Sequence, residues 1–158
     1  MTDSNNNFRL DGRRVVVTGG ARGIGHAIAR RAAMSGASVA VLDLDQDTLE
    51  RAAAELRDDV EGAEIVVQTC DVSSYESVRS ARQVLEASWG RADVLVNNAG
   101  IFSNAPAHEL TVEEWDHVLH VNLSGAFYCS QVFGAPMIEA RSGSIVCIAS
   151  MSGLVVNR

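Results

Sequence analysis

The sequence predicts an α/β fold with a doubly wound parallel sheet, and three observations lead to that prediction. Short apolar stretches rich in β-branched residues recur regularly along the chain. Segments with apolar residues at helical spacing lie between them. A cluster of glycines follows the first apolar stretch. Apolar strands that alternate with amphipathic helices require a parallel sheet covered on both faces, and such sheets bind ligands at the carboxyl ends of their strands.

Composition narrows the class of protein. The chain has 158 residues, of which 47% are hydrophobic and 21% charged, so we expect one globular domain over 9–158 after a disordered tail over 1–8. The net charge of −7 and the lack of a basic run argue against nucleic acid or an anionic membrane as a partner. With no membrane-spanning stretch or signal peptide visible, we expect a cytoplasmic protein. Cys70, Cys129 and Cys147 are expected to be buried and reduced, and their wide spacing does not suggest a metal site.

The first strand and the turn after it carry the strongest local signal. A strand is predicted over 14–17, and helical spacing follows at Ile24, Ala27, Ile28 and Ala32. Gly19, Gly23 and Gly25 therefore lie where a strand turns into a helix. Such a turn presents free backbone N–H groups to a phosphate. The alternative is a tight strand–helix turn without a ligand.

Four further strands are predicted over 39–42, 65–67, 94–96 and 144–149. The helices between them show apolar faces at Leu49, Ala52, Ala53 and Leu56, and at Val78, Ala81, Leu85 and Trp89. Capping boxes are predicted at Ser73–Glu76 and Thr111–Glu114. The second box opens a helix that we expect to reach about residue 140, with bends at Gly125 and Pro136.

Polar residues follow every predicted strand: Thr18, Asp43, Asp71, Asn97 with Asn98, and Ser150. Each alone could be an ordinary cap or turn residue. Together they mark one edge of a parallel sheet, where cofactors bind. Asp43 stands where a dinucleotide fold places the carboxylate that binds the adenosine ribose.

The helix after Thr111 carries one polar residue on an apolar face. Trp115, Val118, Leu119 and Asn122 share that face, so the amide of Asn122 must find partners. It is either a satisfied structural amide or a polar group directed at an active site. His117 and His120 lie three residues apart, but no carboxylate or cysteine pattern beside them supports a metal site.

Several motifs in order make the chain resemble the short-chain dehydrogenases/reductases. They are Thr18-Gly19-x-x-x-Gly23-Ile24-Gly25, Asp71-Val72, Asn97-Asn98-Ala99-Gly100, Asn122 within its helix, and the run from Gly143 to Ser150. The last nine residues, from Ser150 to Arg158, resemble, more weakly, the polyol (sugar-alcohol) dehydrogenases of that family. The resemblance covers nearly the whole chain and implies the N-terminal five strands of the usual seven-stranded Rossmann sheet.

The resemblance also implies roles for individual residues. Asn122 and Ser150 would be catalytic, and Ser150 and Asn157 would contact the substrate. The implied cofactor-binding residues are Gly19, Arg22, Gly23, Ile24, Gly25, Asp43, Asp71, Val72, Asn97, Ala99 and Gly100.

Asp43 and Arg22 favour different cofactors. The carboxylate of Asp43 can accept hydrogen bonds from both ribose hydroxyls and would repel a 2′-phosphate, so NAD is expected. Arg22 resembles the basic residue that often accompanies NADP in this family. We expect Asp43 to decide, because it stands where the extra phosphate would lie.

One departure from the family pattern leaves two functional interpretations open. The family's catalytic tyrosine and lysine would fall beyond Arg158, eight residues after Ser150, so the chain is expected to be truncated before them. It is then either part of an NAD-dependent dehydrogenase acting on a secondary alcohol or ketone, or a nucleotide-binding or interaction module without catalysis. Another Rossmann enzyme, such as a methyltransferase, is disfavoured by Asn97-Asn98-Ala99-Gly100. A complete enzyme would be expected to form a homo-oligomer.

Overall fold

The computed structural model of the chain describes residues 8–150. Within that range five strands alternate with helices. The strands are β1 (Arg14–Thr18), β2 (Ser38–Asp43), β3 (Ile65–Thr69), β4 (Val94–Asn97) and β5 (Ser144–Cys147). The α-helices are α1 (Gly23–Met34), α2 (Gln46–Asp59), α3 (Tyr75–Ser88), α4 (Val112–Leu119) and α5 (Gly125–Glu139). A π-helical segment, His120–Ser124, joins α4 to α5.

The strands form one parallel sheet in the order β3-β2-β1-β4-β5, which confirms the predicted doubly wound fold. β1 lies at the centre, with Val17 beside Val41 of β2 and Val96 of β4. The chain leaves β1 in one direction and later enters β4 on its other side. The strand order therefore reverses between β1 and β4, and a crevice opens at their carboxyl ends.

Two hydrophobic clusters cover the two faces of the sheet. Val15 and Val17 pack on the face that carries α1 and α2, whereas Val16 and Leu95 pack on the face that carries α3 and α5. This division follows from the alternation of side chains along each strand. The predicted apolar faces of α2 and α3 are confirmed, because all eight of their predicted residues are buried.

The predicted face of α1 is partly wrong. The helix buries Gly25, Ala29, Ala32 and Ala33, while Ile24 is 67% exposed. The reason is steric: small residues let α1 lie close to the strands, so the larger Ile24 is directed elsewhere. The largest apolar residues are therefore a poor guide to the buried side.

Helix starts differ from prediction at one of the two capping boxes. Thr111 and Glu114 form the predicted box at the start of α4. At α3 the N-cap is Ser74, whose hydroxyl accepts a hydrogen bond from the N–H of Ser77. Ser73 instead donates its hydroxyl to Asp71 at 2.7 Å. The capping box predicted at Ser73 is therefore wrong, because its side chain is held by the preceding turn.

The long helix predicted after Thr111 is interrupted by the π-helical segment, which ends directly before Gly125. A Cβ on Gly125 would lie 3.0 Å from Cγ2 of Val72, so the glycine lets the start of α5 approach the strand loops. Pro136 lies inside α5. Trp115, on the predicted apolar face of this helix, is 53% exposed. No residue of α4 is buried within the described part of the chain.

β5 forms one edge of the sheet. It pairs with β4, and within residues 8–150 nothing pairs with its other side. Ile145, Val146 and Ile148 are each more than 40% exposed. Cys70 and Cys129 are buried as predicted, but Cys147 is exposed because it lies on this edge. No helix in the described range has the length and apolar character needed to cross a membrane.

Candidate functional site

A cleft of about 380 Å³ lies at the carboxyl end of the sheet, between the loops that follow β1 to β4. Eight of the predicted site residues line it. They are Gly19, Arg22, Ile24, Asp43, Asp71, Val72, Ala99 and Gly100.

The glycine turn packs tightly against the loop after β4. Gly19 has a φ of +61°, and a Cβ there would lie 2.8 Å from Cα of Ala99. Gly25 sits beneath it, where a Cβ would overlap the carbonyl oxygen of Gly19 and the amide of Asn98. Gly23 has a φ of +57° and faces open space, with nothing within 4 Å of the position that a Cβ would take. The three glycines thus have different tasks: close approach at Gly19 and Gly25, and backbone conformation at Gly23.

The N-terminus of α1 is suited to an anion. Arg22 holds the N-cap position, but its side chain makes no capping hydrogen bond. The first turn of α1 contains no acidic residue. Free backbone N–H groups and the positive end of the helix dipole therefore remain available beside the cleft. A phosphate or pyrophosphate fits this cradle on charge and on space.

Asp43 is fixed at the rim of the cleft by two backbone groups. One carboxylate oxygen accepts from the N–H of Ala21 at 3.2 Å, and the other accepts from the N–H of Leu44 at 2.8 Å. The side chain is half-buried at the end of β2. Each carboxylate oxygen has a second lone pair, so Asp43 can still accept hydrogen bonds from a ligand hydroxyl.

Asp71 and Val72 form another wall. Oδ1 of Asp71 accepts hydrogen bonds from the backbone and the hydroxyl of Ser73, at 2.9 and 2.7 Å. Val72 is 8% exposed and supplies an apolar surface. Cys70 lies beside them, and burial raises the pKa of its thiol to about 11. Val72 and the Cys70 thiol thus give this wall an apolar part beside the Asp71 carboxylate, and the apolar part suits a flat aromatic ring.

Thr18 and Asn98 tie the β1 turn to the loop after β4. The Thr18 hydroxyl accepts from the N–H groups of Asn98 and Ala99, at 3.0 and 3.1 Å. In return the Asn98 side-chain amide donates to the carbonyl oxygens of Thr18 and Gly19, both at 3.0 Å. These four bonds fix the cleft's floor without a ligand.

The structure separates the two neighbouring asparagines. Asn98 lines the cleft, whereas Asn97 is 6% exposed and donates to Ser130 of α5 at 2.9 Å. The side chain of Asn97 therefore braces α5 against β4 and does not line the cleft. The sequence could have indicated this, because side chains two residues apart on a strand point to the same face of the sheet. Asn97 therefore points to the same face as Leu95, which packs on the side of α5.

Asn122 lies in the π-helical segment and forms a reciprocal pair with Ile101. Its Oδ1 accepts from the N–H of Ile101, and its Nδ2 donates to the Ile101 carbonyl, each at 2.8 Å. It thus fastens the helix to the loop that borders the cleft without lining the cleft itself. Ser150 is exposed at the end of the described range and does not line the cleft. The predicted Asn157 lies outside the described residues, as do the last eight residues and most of the predicted tail.

Seven residues line the cleft without having been predicted as site residues. They are Leu44, Cys70, Ser73, Asn98, Ile101, His117 and Val121. Most adjoin a predicted residue along the chain, so adjacency alone could have found them. His117 and Val121 are four apart and share a helix face, which is the signal that could have placed them together. Within residues 8–150, no group of three or more His, Cys, Asp and Glu side chains could hold a metal ion.

Comparisons with known proteins identify the family of the chain. A family model described as short chain dehydrogenase matches residues 13–158. The chain is 45% identical over 148 residues to a D-threitol dehydrogenase of Mycolicibacterium smegmatis, covering 94% of this chain and 56% of that protein. It is 41% identical over 152 residues to a galactitol 2-dehydrogenase of Rhizobium johnstonii, covering 96% and 58%.

A solved structure of similar fold carries a different cofactor from the one predicted here. It is a crystal structure of a variant of actinorhodin polyketide ketoreductase with NADPH. That protein is 35% identical, with a TM-score of 0.87, over 92% of this chain and 56% of its own. The present chain thus spans little more than half the length of the proteins that it matches.

Proposed function

Because the chain belongs to the short-chain dehydrogenase family, we propose that its cleft binds NAD and that the protein is an NAD-dependent alcohol dehydrogenase. The observation that carries the proposal is the fixed carboxylate of Asp43 at the rim of a cleft that also contains the uncapped N-terminus of α1. One end of that cleft suits a pyrophosphate, and the other suits a ribose with free hydroxyls.

The glycine turn would hold the pyrophosphate. Gly19 and Gly23 present backbone without a Cβ, and the N–H groups of the first turn of α1 would donate to phosphate oxygens. Ile24 would contribute its backbone N–H there, which agrees with its exposed position at the cleft. The four bonds of Thr18 and Asn98 keep this surface in place before the ligand arrives, so little ordering is required on binding.

Asp43 would select NAD over NADP. Its two oxygens are already oriented by Ala21 and Leu44, so they would accept hydrogen bonds from the 2′- and 3′-hydroxyls of the ribose. A 2′-phosphate would place like charges next to each other. Arg22 favours the opposite preference, and the ketoreductase of similar fold was crystallised with NADPH.

The remaining wall would hold the adenine. Val72 offers an apolar face, and Asp71, oriented by Ser73, offers a hydrogen-bond acceptor for an exocyclic amine. Ala99 and Gly100 would border the ribose on the opposite side, where the lack of large side chains leaves room. Asn97 would not contact the cofactor directly but would hold α5 in place through its hydrogen bond to Ser130.

NAD, when bound, supplies the nicotinamide carbon that accepts hydride from an alcohol. Asn122 would keep the loop at Ile101 in place through its two hydrogen bonds, and Ser150 would donate or accept at the reacting oxygen. Neither Tyr75 nor Tyr128 lines the cleft; their rings pack edge to face, 5.5 Å apart, between α3 and α5. Neither tyrosine is therefore proposed as the general acid/base.

Sugar alcohols are the proposed substrate class, since relatives are named for threitol and galactitol. Asn157 would contact such a substrate. A homo-oligomer and a cytoplasmic location remain predictions from the sequence.

The first test is cofactor binding by the full chain. Isothermal titration should show tighter binding of NAD than of NADP, and Asp43→Ala should weaken NAD and reduce the discrimination. Asp58→Ala, an exposed acid at the far end of α2, is the matched control and should leave both affinities unchanged. Equal affinity ratios in the wild type and Asp43→Ala would refute the role of Asp43.

The second test separates an enzyme from a binding module without catalysis. Threitol and galactitol are supplied with NAD, and formation of NADH is followed by absorbance. NADH formation supports the enzyme. Because the family's tyrosine and lysine would fall beyond Arg158, residues 1–158 alone are expected to show no turnover in either case. The module is therefore favoured only if the protein as its source makes it binds NAD without turnover.

A further inference from the structure

The turn between β3 and α3 holds Asp71 by four hydrogen bonds. Its backbone N–H donates to the hydroxyl oxygen of Ser77 at 2.9 Å, and its carbonyl oxygen accepts from the N–H of Ser74 at 3.1 Å. Its Oδ1 accepts from the N–H of Ser73 at 2.9 Å and from the Ser73 hydroxyl at 2.7 Å. The backbone and the side chain of Asp71 are therefore both fixed before a ligand arrives.

The two carboxylate oxygens of Asp71 are not equivalent. A carboxylate oxygen has two lone pairs, and the two donors of Ser73 occupy both lone pairs of Oδ1. Oδ2 accepts no hydrogen bond from any residue in the range 8–150. Asp71 and Ser73 both line the cleft. A ligand in the cleft thus meets a carboxylate in which Oδ2 is the oxygen left to accept.

Such an oriented acceptor distinguishes purines by the group at the 6-position of the ring. The amine of adenine can donate a hydrogen bond to Oδ2. Hypoxanthine carries a carbonyl oxygen in the same place, so two acceptors would face each other without a hydrogen. A site built to bind an N–H group rejects an analogue that lacks it, because its own polar group is then left unpaired.

We infer that Ser73 is a positioning residue for base recognition: by holding Oδ1 of Asp71 it leaves Oδ2 for a 6-amino group, and it thereby makes the cleft selective for adenine over 6-oxopurine dinucleotides. The inference rests on the proposed binding of NAD in this cleft. The hydroxyl proton of Ser73 is donated to Asp71, so Ser73 acts through that carboxylate.

The size of the effect follows from the bonds involved. A hydrogen bond to a charged group is equivalent to roughly 10- to 100-fold in affinity, which sets the expected preference for NAD over nicotinamide hypoxanthine dinucleotide. Ser73→Ala keeps the backbone N–H bond to Oδ1 and with it the turn, but it frees one lone pair and lets the carboxylate rotate. Because a neutral hydrogen bond contributes about two- to tenfold, the preference should fall by about that factor.

Four variants of the full chain test this assignment. Ser73→Ala removes the hydroxyl, Ser73→Thr retains it, and Asp71→Asn replaces one acceptor oxygen with an amine. In Asp71→Asn the donors of Ser73 select the amide oxygen as their partner, so the NH2 group takes the place of Oδ2.

Ser74→Ala is the matched control. The Ser74 hydroxyl caps α3 by accepting from the N–H of Ser77 at 3.3 Å, and Ser74 does not line the cleft. Affinities for NAD and for nicotinamide hypoxanthine dinucleotide are measured by titration calorimetry for the wild type and each variant. Melting temperatures are measured without ligand.

The wild type and Ser73→Thr should prefer NAD, Ser73→Ala should lose part of that preference, and Asp71→Asn should bring the affinity ratio to about one or below. Ser74→Ala should melt roughly 2–6 °C lower while its affinity ratio stays that of the wild type.

Three results would overturn the inference while the proposed function stands. They are a wild type that binds both dinucleotides equally, a wild-type ratio in Ser73→Ala, and an equal loss of preference in Ser73→Ala and Ser74→Ala. The last would show that any disturbance of the turn has the same effect. If the wild type binds neither dinucleotide, the proposed function fails and the inference fails with it.

Discussion

Replacing Gly25 with alanine should displace the glycine turn that forms part of the cleft. A Cβ at Gly25 would overlap the Gly19 oxygen and would lie 2.9 Å from the Gly19 carbonyl carbon. Ordinary contact begins near 3.4 Å, so the turn must move by about half an ångström or more. That movement strains a carbonyl that also accepts a hydrogen bond from Asn98.

The free-energy cost can be estimated from these contacts. Overpacking of this kind costs about 1–3 kcal/mol, and a weakened hydrogen bond to Asn98 adds about 1 kcal/mol. Alanine recovers at most about 1 kcal/mol through its higher helix propensity. The net destabilisation should be about 1–3 kcal/mol, which corresponds to a fall in melting temperature of roughly 3–10 °C for a domain of this size.

Gly134→Ala is the matched control, since Gly134 is also a buried glycine within a helix. There the nearest atom to a new Cβ is Cδ1 of Ile145 at 3.3 Å, at the flexible end of a side chain. Thermal unfolding and NAD titration are measured for both variants. Gly25→Ala should melt lower and bind NAD more weakly, while Gly134→Ala should match or exceed the wild type in stability. A Gly25→Ala protein with wild-type stability and NAD affinity would refute the close approach described here.

Three further predictions concern single groups. Thr18→Val should lower stability by about 2–4 kcal/mol in chemical denaturation, because it leaves the N–H groups of Asn98 and Ala99 without an acceptor; Thr18→Ser should retain most of it. Thr111→Ala should cost about 1 kcal/mol by removing the capping box of α4, whereas an effect below a few tenths would deny that box any role. Iodoacetamide at pH 8 should modify Cys147 first, since burial raises the pKa of Cys70 to about 11 and that of Cys129 to about 12; rapid labelling of all three thiols in the native protein would contradict the burial.

Much of the fold could be predicted because its signals are local. The β-branched stretches and the faces at Leu49 and Val78 each report one element and its buried side, and the parallel sheet follows from their alternation. The buried faces of α1 and α4 were harder to predict, because burial there depends on the elements that pack against each helix. Ala29 and Ala33 are buried on the face of α1 that covers the strands, whereas Trp115 of α4 is 53% exposed within the described range.

The candidate site shows the same division. Asp43 and Gly19 were identified from their positions at strand ends, and both line the cleft. Asn98 was noted among the polar residues at the strand ends, but the cofactor-binding role was assigned to Asn97. The direction of each side chain depends on its position along the strand, which the motif alone does not state. The π-helical segment at Asn122 was not foreseen, since its hydrogen bonds to Ile101 join residues distant in sequence.

The edge of β5 that is unpaired within residues 8–150 has a consequence for the behaviour of this chain in solution. A strand with a free edge and apolar side chains is a template on which another chain can add by backbone hydrogen bonding. The net charge of −7 keeps molecules apart at neutral pH, but that repulsion disappears near the isoelectric point of about 5.0. Mildly acidic buffer should therefore turn a colloidally stable solution into a precipitating one, and purification is best kept at or above neutral pH.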